Sequence, residues 1–435
     1  MKPILRLIFL ASFLFSVSLV AAQIINVGNH IENKVINRTN NHIDQGIDKG
    51  LDAVEDGVSG KNAKKEKGKK NAAETTAQAT PGDSQTAEKP VTDEIKAGPQ
   101  DKPVMETYSK YDFIPGEKVM FFDDFTETAV GDFPPNWNTN ASGEVVTNNL
   151  YPGNWFKIIG EGSIALEEGL KLPDNYTIEF DVIPHASGKD FENFAFGFYL
   201  YSAQNPKDLN EGGAVPGKAG IKMNFGYHSD YSAYDETGYT IDGSKEDAAM
   251  EVDKKYRLSF WVQKTRLRVY LDQTKIFDLP KVFAAGMHCN MMRFELWNAG
   301  APMISNFRIA AGLPDMRNKL LTEGKLVSYG IYFDVNKDVV KPESYGTLKG
   351  IADVLKENPT VRVKIVGYTD SDGADAANLD LSKRRGASVK AELVKNFGID
   401  ASRLESDGFG EAKPVAPNDT PSNKALNRRV EFIKL

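Results

Sequence analysis

The chain of 435 residues has a single cysteine, Cys289, so no disulfide can close within it. That thiol is read as a buried, inert side chain, because a reactive thiolate needs a cationic setting and His288 alone is a weak one. Histidine is scarce as well. His30, His42, His185, His228 and His288 are scattered and show no metal-ligand spacing. Basic charge is not in excess: 53 Lys and Arg face 60 Asp and Glu, a net charge of -7. Without a domain-wide positive field there is nothing to displace phosphate counterions, which excludes a nucleic-acid binder. Beyond residue 22 no stretch is long and apolar enough to cross a bilayer as a helix. No cofactor motif is found either. Gly408-Phe409-Gly410 reads as a turn, lacking the lysine and further glycine of a phosphate loop.

What is present begins with an export pattern. Lys2 and Arg6 precede the apolar stretch Leu7–Val20, and Ala21-Ala22 follow. Basic, apolar and small residues in that order predict a secretory signal peptide over residues 1–22, with Gln23 starting the mature chain. Residues 23–58 carry Ile31, Val35, Ile43, Ile47, Leu51, Val54 and Val58 mostly at three-or-four spacing, which predicts an amphipathic helix. Its stripe would dock on a partner, a second copy, a membrane surface or the protein's own downstream domain. Residues 59–110 open on Lys61, Lys64, Lys65, Lys67, Lys69 and Lys70 and continue in Ala, Thr, Gln, Pro and Glu. Such a composition cannot bury enough apolar area to offset its ordering entropy, so a disordered linker is expected.

Residues 111–312 read as all-β. Tyr176, Ile178, Phe180 and Val182 alternate with Thr177, Glu179 and Asp181, and Tyr256, Leu258, Phe260 and Val262 alternate likewise. Period two with one apolar face predicts strands with one side on a core and the other, including Glu179 and Asp181, toward solvent. Asp272-Gln273-Thr274 marks a hairpin turn. The strand density predicts a two-sheet sandwich. Phe122-Asp123-Asp124-Phe125, the hairpin from Arg268 to Pro280 and the closing strand Ile304–Ile309 resemble the concanavalin A-like or laminin G-like jelly roll. That fold houses lectins, glycan hydrolases and scaffolds, so it leaves function open.

After a connector at 313–324, residues 325–435 turn mixed α/β, with strands expected at Lys325–Phe333, Val361–Val366, near Leu404 and at Arg429–Ile433. Helices are expected from Pro342 and over Leu379–Phe397, giving the order βαβαββ and a small two-layer α/β sandwich. Five motifs occur in order here: Ile331-Tyr332-Phe333-Asp334, Gly367-Tyr368-Thr369-Asp370, Asn378 with Leu381-Ser382-Lys383-Arg384-Arg385, Gly408-Phe409-Gly410 with Pro414, and Asn427-Arg428-Arg429-Val430-Glu431. They resemble the OmpA-like peptidoglycan-binding family. Gly386 departs from its usual alanine and is expected to loosen the second helix slightly, at about 1 kcal/mol.

The resemblance implies a non-catalytic envelope anchor without cofactor. It would bind peptidoglycan through the diaminopimelate residue of the stem peptide, in the periplasm beside cell wall and outer membrane. Asp370 would accept the ammonium and Arg385 would donate a forked pair of hydrogen bonds to the carboxylate. Thr369, Asn378, Leu381, Phe333, Asp334 and Asn336 would line the pocket, with Arg429 in support. Envelope proteins are further candidate partners, through the N-terminal helix and the β-sandwich, which would be an interaction or glycan-binding module. Two rivals stand beside this reading. A wall or glycan hydrolase would need a carboxylate set, and only Glu179 and Asp181 come close to one. An outer-membrane barrel would need repeated lipid-facing strands, whereas this region has long polar loops.

Overall fold

The alternating segments pair as strands. In the computed structural model, Asn175–Ile183 lies antiparallel to Tyr256–Gln263, with Phe180 opposite Leu258 and Ile178 opposite Phe260. The structure describes residues 111–186, 195–210, 213, 215–297, 300–312 and 315–435. The expected signal peptide (1–22), amphipathic helix (23–58) and linker (59–110) lie outside the described residues.

One eight-stranded sheet runs in the order Thr274–Leu279, Arg266–Leu271, Tyr256–Gln263, Asn175–Ile183, Met303–Ala311, Trp155–Ile159 and Ser142–Val146. Lys118–Asp123 adds to it by pairing with Met303–Ala311. The second sheet, of seven strands, runs Gly238–Lys245, Ser229–Asp235, Gly220–Gly226, Ala195–Tyr201, Met291–Leu296, Gly162–Leu166 and Trp137–Thr139. The sheets meet through phenylalanines. Phe180 and Phe260 from the first lie 5.2 Å and 4.8 Å, centroid to centroid, from Phe294 and Phe198 of the second. Each fully buried ring of this kind contributes roughly 1.5–3 kcal/mol. The hairpin turns at Asp272, held at φ 50, a left-handed conformation that Asp tolerates better than most residues. Trp137, Trp155 and Trp261 are buried, while Trp297 is 43% exposed. Cys289 is buried, and burial pushes its thiol up to about 12.

The C-terminal sheet has four strands in the order Lys325–Ser328, Val430–Lys434, Val363–Gly367, Leu404–Gly408, the last pair parallel. Helices Tyr345–Glu357 and Asp375–Lys395 cover it, with Leu348, Ile351, Leu355, Val389 and Leu393 sharing a core with Val363, Ile365 and Phe432. Three features differ from expectation. The first strand stops at Ser328 rather than Phe333, and the chain then passes closely at Gly330, where a Cβ would come within 2.4 Å of the Thr347 hydroxyl. A helix, Met316–Leu321, occupies the expected connector and buries Met316 and Leu320 in the second core. Another, Pro421–Asn427, precedes the last strand, capped by the Thr420 hydroxyl with Pro421 in its first turn, so the order is not simply βαβαββ.

Gly386 has a packing role in its helix. The helix runs unbroken through it, and a Cβ there would lie 2.5 Å from the Asp407 carbonyl oxygen. The glycine is what lets helix and strand approach. Gly346 plays the same part on the other helix, where a Cβ would strike the Phe113 carbonyl. Phe113 in turn packs edge-on to Trp261 and Tyr270 of the sandwich. The segment from Tyr111 is therefore clamped between the sandwich and the C-terminal helix.

Candidate functional site

Strand Val363–Gly367 delivers Tyr368, Thr369 and Asp370 beyond the edge of its hydrogen-bonded run. The Thr369 amide donates to Gly410 at 3.1 Å, fixing this exit to the Gly408-Phe409-Gly410 turn. The loop is fastened from the helix side by Asn378. Its amide nitrogen donates to the Asp370 and Asp372 carbonyls, at 3.3 and 3.2 Å, and to Glu411 Oε2 at 2.6 Å. Asn378 thus holds the loop rather than standing free. The Thr369 hydroxyl is buried and has no hydrogen-bond partner among the described residues.

Arg385 projects from helix Asp375–Lys395 toward the loop after Ile331. Its Nε donates to the Lys337 carbonyl at 3.0 Å and its Nη2 to the Asp334 carbonyl at 3.3 Å. The guanidinium lies over the Phe333 ring, 4.8 Å from its centroid. Its hydrogen bonds go to neutral carbonyls. Burial pushes the Arg385 guanidinium down to about 10, with the Asp370 charge opposing that shift. It remains a cation at neutral pH, and one short of an anion. The Asp334 carboxylate faces Lys337 at 3.1 Å instead, and Asn336 takes the left-handed backbone (φ 57) that turns the loop.

Asp370, 8% exposed, is ion-paired not to Arg385 but to Arg428, Nη1 to Oδ2 at 2.6 Å. Its Oδ1 accepts only a long bond, 3.2 Å, from the Asp372 amide. Arg429 sits behind, bonded to Glu431 at 2.8 Å and stacked on Tyr368 at 3.8 Å from the ring centroid. Asp370, Arg385, Thr369, Asn378, Leu381, Phe333, Asp334, Asn336 and Arg429 all line one cavity of about 340 Å³. Arg428, named in the last motif without a role, lines it too.

Part of that cavity is not C-terminal. Phe122, Asp124, Thr126 and Asn306 of the sandwich form its other wall. Beneath lies a buried ionic network. Glu179 receives Arg257 at 2.9 Å, Arg308 at 2.6 Å and the Tyr332 hydroxyl at 2.8 Å. Asp181 receives Arg257 at 2.7 Å and the Asn306 amide at 2.9 Å. Burial pushes both carboxyls up, but the guanidiniums outweigh it and hold them below their usual range. The expectation that Glu179 and Asp181 face solvent is therefore overturned: they are 0% and 3% exposed. That sheet face is polar because it meets charged and phenolic groups, not because it meets water.

Part of the chain matches known proteins. Residues 332–428 match the OmpA family. Over 105 residues the chain is 48% identical to the outer membrane porin F of Pseudomonas fluorescens, covering 24% of this chain and 32% of that protein. It is 39% identical over 92 residues to the peptidoglycan-binding protein ArfA of Mycobacterium bovis, 21% of this chain and 28% of that one. The chain thus spans about a third of the length of these curated relatives. Among solved structures, the peptidoglycan-associated lipoprotein from Burkholderia pseudomallei aligns at 27% identity and TM-score 0.24, covering 28% of this chain and all of that one.

Proposed function

We propose, from the premise that residues 332–428 form an OmpA family domain, that this protein is an envelope anchor binding peptidoglycan through the diaminopimelate of its stem peptide. The observation that carries the reading is one cavity holding an incompletely satisfied carboxylate, Asp370, and a half-buried guanidinium, Arg385, that makes no ion pair among the described residues. A zwitterionic amino-acid end answers both: its ammonium to Asp370, its carboxylate to the Arg385 fork. Thr369, which lines the same cavity, would supply a third, neutral contact. A relative described as peptidoglycan-binding supports the same chemistry.

The remaining parts fit around that function. The signal peptide at 1–22 would export the chain to the periplasm, and the segment at 59–110 would give reach between the N-terminal helix and the described domains. The sandwich, read as jelly-roll-like, would be an interaction or glycan-binding module, and no catalytic step is assigned to it. Its two candidate carboxylates are committed to Arg257 and Arg308 beneath Tyr332. In the test, purified full-length protein is mixed with insoluble diaminopimelate-type peptidoglycan and centrifuged. The protein is expected in the pellet and is expected to be released by soluble stem peptide. Protein left in the supernatant at micromolar concentration contradicts the reading.

A further inference from the structure

Helix Pro421–Asn427 and the residue after it present two cations four positions apart, Lys424 and Arg428, hence on one face. Each stands between two acids. Arg428 reaches Asp370 of the ligand loop at 2.6 Å and Asp124 of the sandwich at 3.4 Å. Lys424 reaches Asp372 of the same loop at 3.1 Å and Glu127 of the sandwich at 3.8 Å. The same pattern repeats over two rungs: loop acid, helix cation, sandwich acid.

The sandwich side is built to present these acids. Asp123 turns inward, accepting from the Phe125 amide at 2.9 Å and from Trp137 Nε1 at 3.1 Å. Phe125 is thereby held at φ 60 with its ring fully in the core. That leaves Asp124 facing the C-terminal domain, where its Oδ1 takes the Thr126 hydroxyl at 2.7 Å and its Oδ2 takes Arg428. The Phe122 ring lies 5.1 Å from the Arg428 guanidinium carbon, and the Phe122 backbone is pinned to Ser422 Oγ at 2.9 Å. Arg428 is therefore contacted from both sides, by Asp370 and by Asp124 with Phe122.

We propose that the sandwich completes the wall-peptide site, with Asp124 as a positioning residue that shares Arg428 and so leaves Asp370 with net negative charge for a ligand ammonium. The charge count makes the point. Two carboxylates around one guanidinium leave this triad with one net negative charge, set apart from the Arg385 cation of the same cavity, whereas Asp370 with Arg428 alone would be neutral. A neutral pair attracts an ammonium weakly, and an intact charge triad attracts it strongly over a few ångströms of partly buried space. The lower rung, Glu127 with Lys424 and Asp372, acts in the same sense from a more exposed position. This inference rests on the peptidoglycan reading of the same cavity.

A double-mutant cycle on the full chain tests it, with soluble diaminopimelate-containing stem peptide as the probe and melting curves confirming the fold of each variant. Asp124→Asn, which keeps shape and removes charge, is expected to weaken binding about tenfold, the scale of one unit charge at this range. In an Arg428→Gln background, where Asp370 and Asp124 both stand unneutralised, Asp124→Asn is expected to cost a comparable factor, because the Coulomb contributions add. Binding unchanged in Asp124→Asn overturns the proposal. A loss that Asp124→Glu does not restore, or that comes with a lowered melting temperature, also overturns it, since Asp124 would then act through structure and not through charge. Asp370→Ala serves as the reference. If it too binds like the parent, the peptidoglycan reading itself falls; if it loses binding while Asp124→Asn does not, only the role of the sandwich falls.

Discussion

Asp370→Ala and Arg385→Ala should each abolish co-sedimentation with diaminopimelate-type wall while leaving the domain folded. In the proposed complex both groups meet a charged partner in a partly enclosed site. Asp370 is 8% exposed, and the Arg385 guanidinium is held down to about 10 by burial. Removing one member of such a pair leaves the other desolvated and alone, at a cost of about 2–5 kcal/mol, or roughly 30-fold to several thousand-fold in affinity. Arg385→Lys should lose most of the binding too. A point ammonium cannot hold the Lys337 and Asp334 carbonyls and at the same time offer a planar fork to a carboxylate. Asp370→Ala frees Arg428 to pair with Asp124 alone, so its fold has a ready alternative and a loss of binding reports the site. Both alanine variants binding like the parent would put the wall contact elsewhere on the molecule.

The second large effect concerns stability. Glu179→Ala leaves Arg257 and Arg308 buried with one carboxylate fewer and strips the Tyr332 hydroxyl of its acceptor. Breaking a buried pair by removing one partner costs about 3–5 kcal/mol. The variant is expected to melt well below the parent and to expose the junction between the sandwich and the C-terminal domain to protease. The same network predicts a pH response. The folded Glu179 carboxyl lies below its ordinary value of 4.5, because Arg257 and Arg308 overcome the burial that would raise it. Its contribution is therefore fully present above about pH 4.5 and is lost as pH falls toward the depressed folded value. Acid titration followed by circular dichroism should show the parent losing stability through that window, and Glu179→Gln should show a flatter profile from a lower start. A Glu179→Ala variant as stable as the parent would mean that the network contributes nothing net.

The sequence made the C-terminal domain legible because its motifs are local. Gly367 to Asp370 and Leu381 to Arg385 each fall on one element end or one helix, so their convergence follows from a strand-loop-helix order. Two things escaped. Arg428 stood inside a recognised motif, yet its partner Asp370 is 58 positions away, and nothing in the sequence says which arginine turns to which acid. The docking of the sandwich escaped for a related reason. Alternation along Tyr176–Val182 marks one face as polar but not what covers it. A signal was available in the neighbouring strands: Arg257 stands opposite Asp181, and Arg308 opposite Glu179, so the polar face carries matched charges across strands rather than scattered ones. Matched charges on a central strand point to a covered face. The helices Met316–Leu321 and Pro421–Asn427 were missed at lengths of six and seven residues, too short for a periodic pattern to register, although Thr420-Pro421 is a helix-start signal.

The central claim is that the cavity reads a zwitterion, both of its charges at once. Calorimetric titration of the full-length protein with two soluble stem peptides, identical except for diaminopimelate or lysine at the third position, tests it most directly. Lysine keeps the ammonium that Asp370 would accept and lacks the carboxylate that Arg385 would hold. The diaminopimelate peptide is expected to bind with favourable enthalpy, and the lysine peptide at least roughly 30-fold more weakly, with Arg385→Ala erasing the difference between them. Equal affinity for the two peptides in the parent protein would contradict the account.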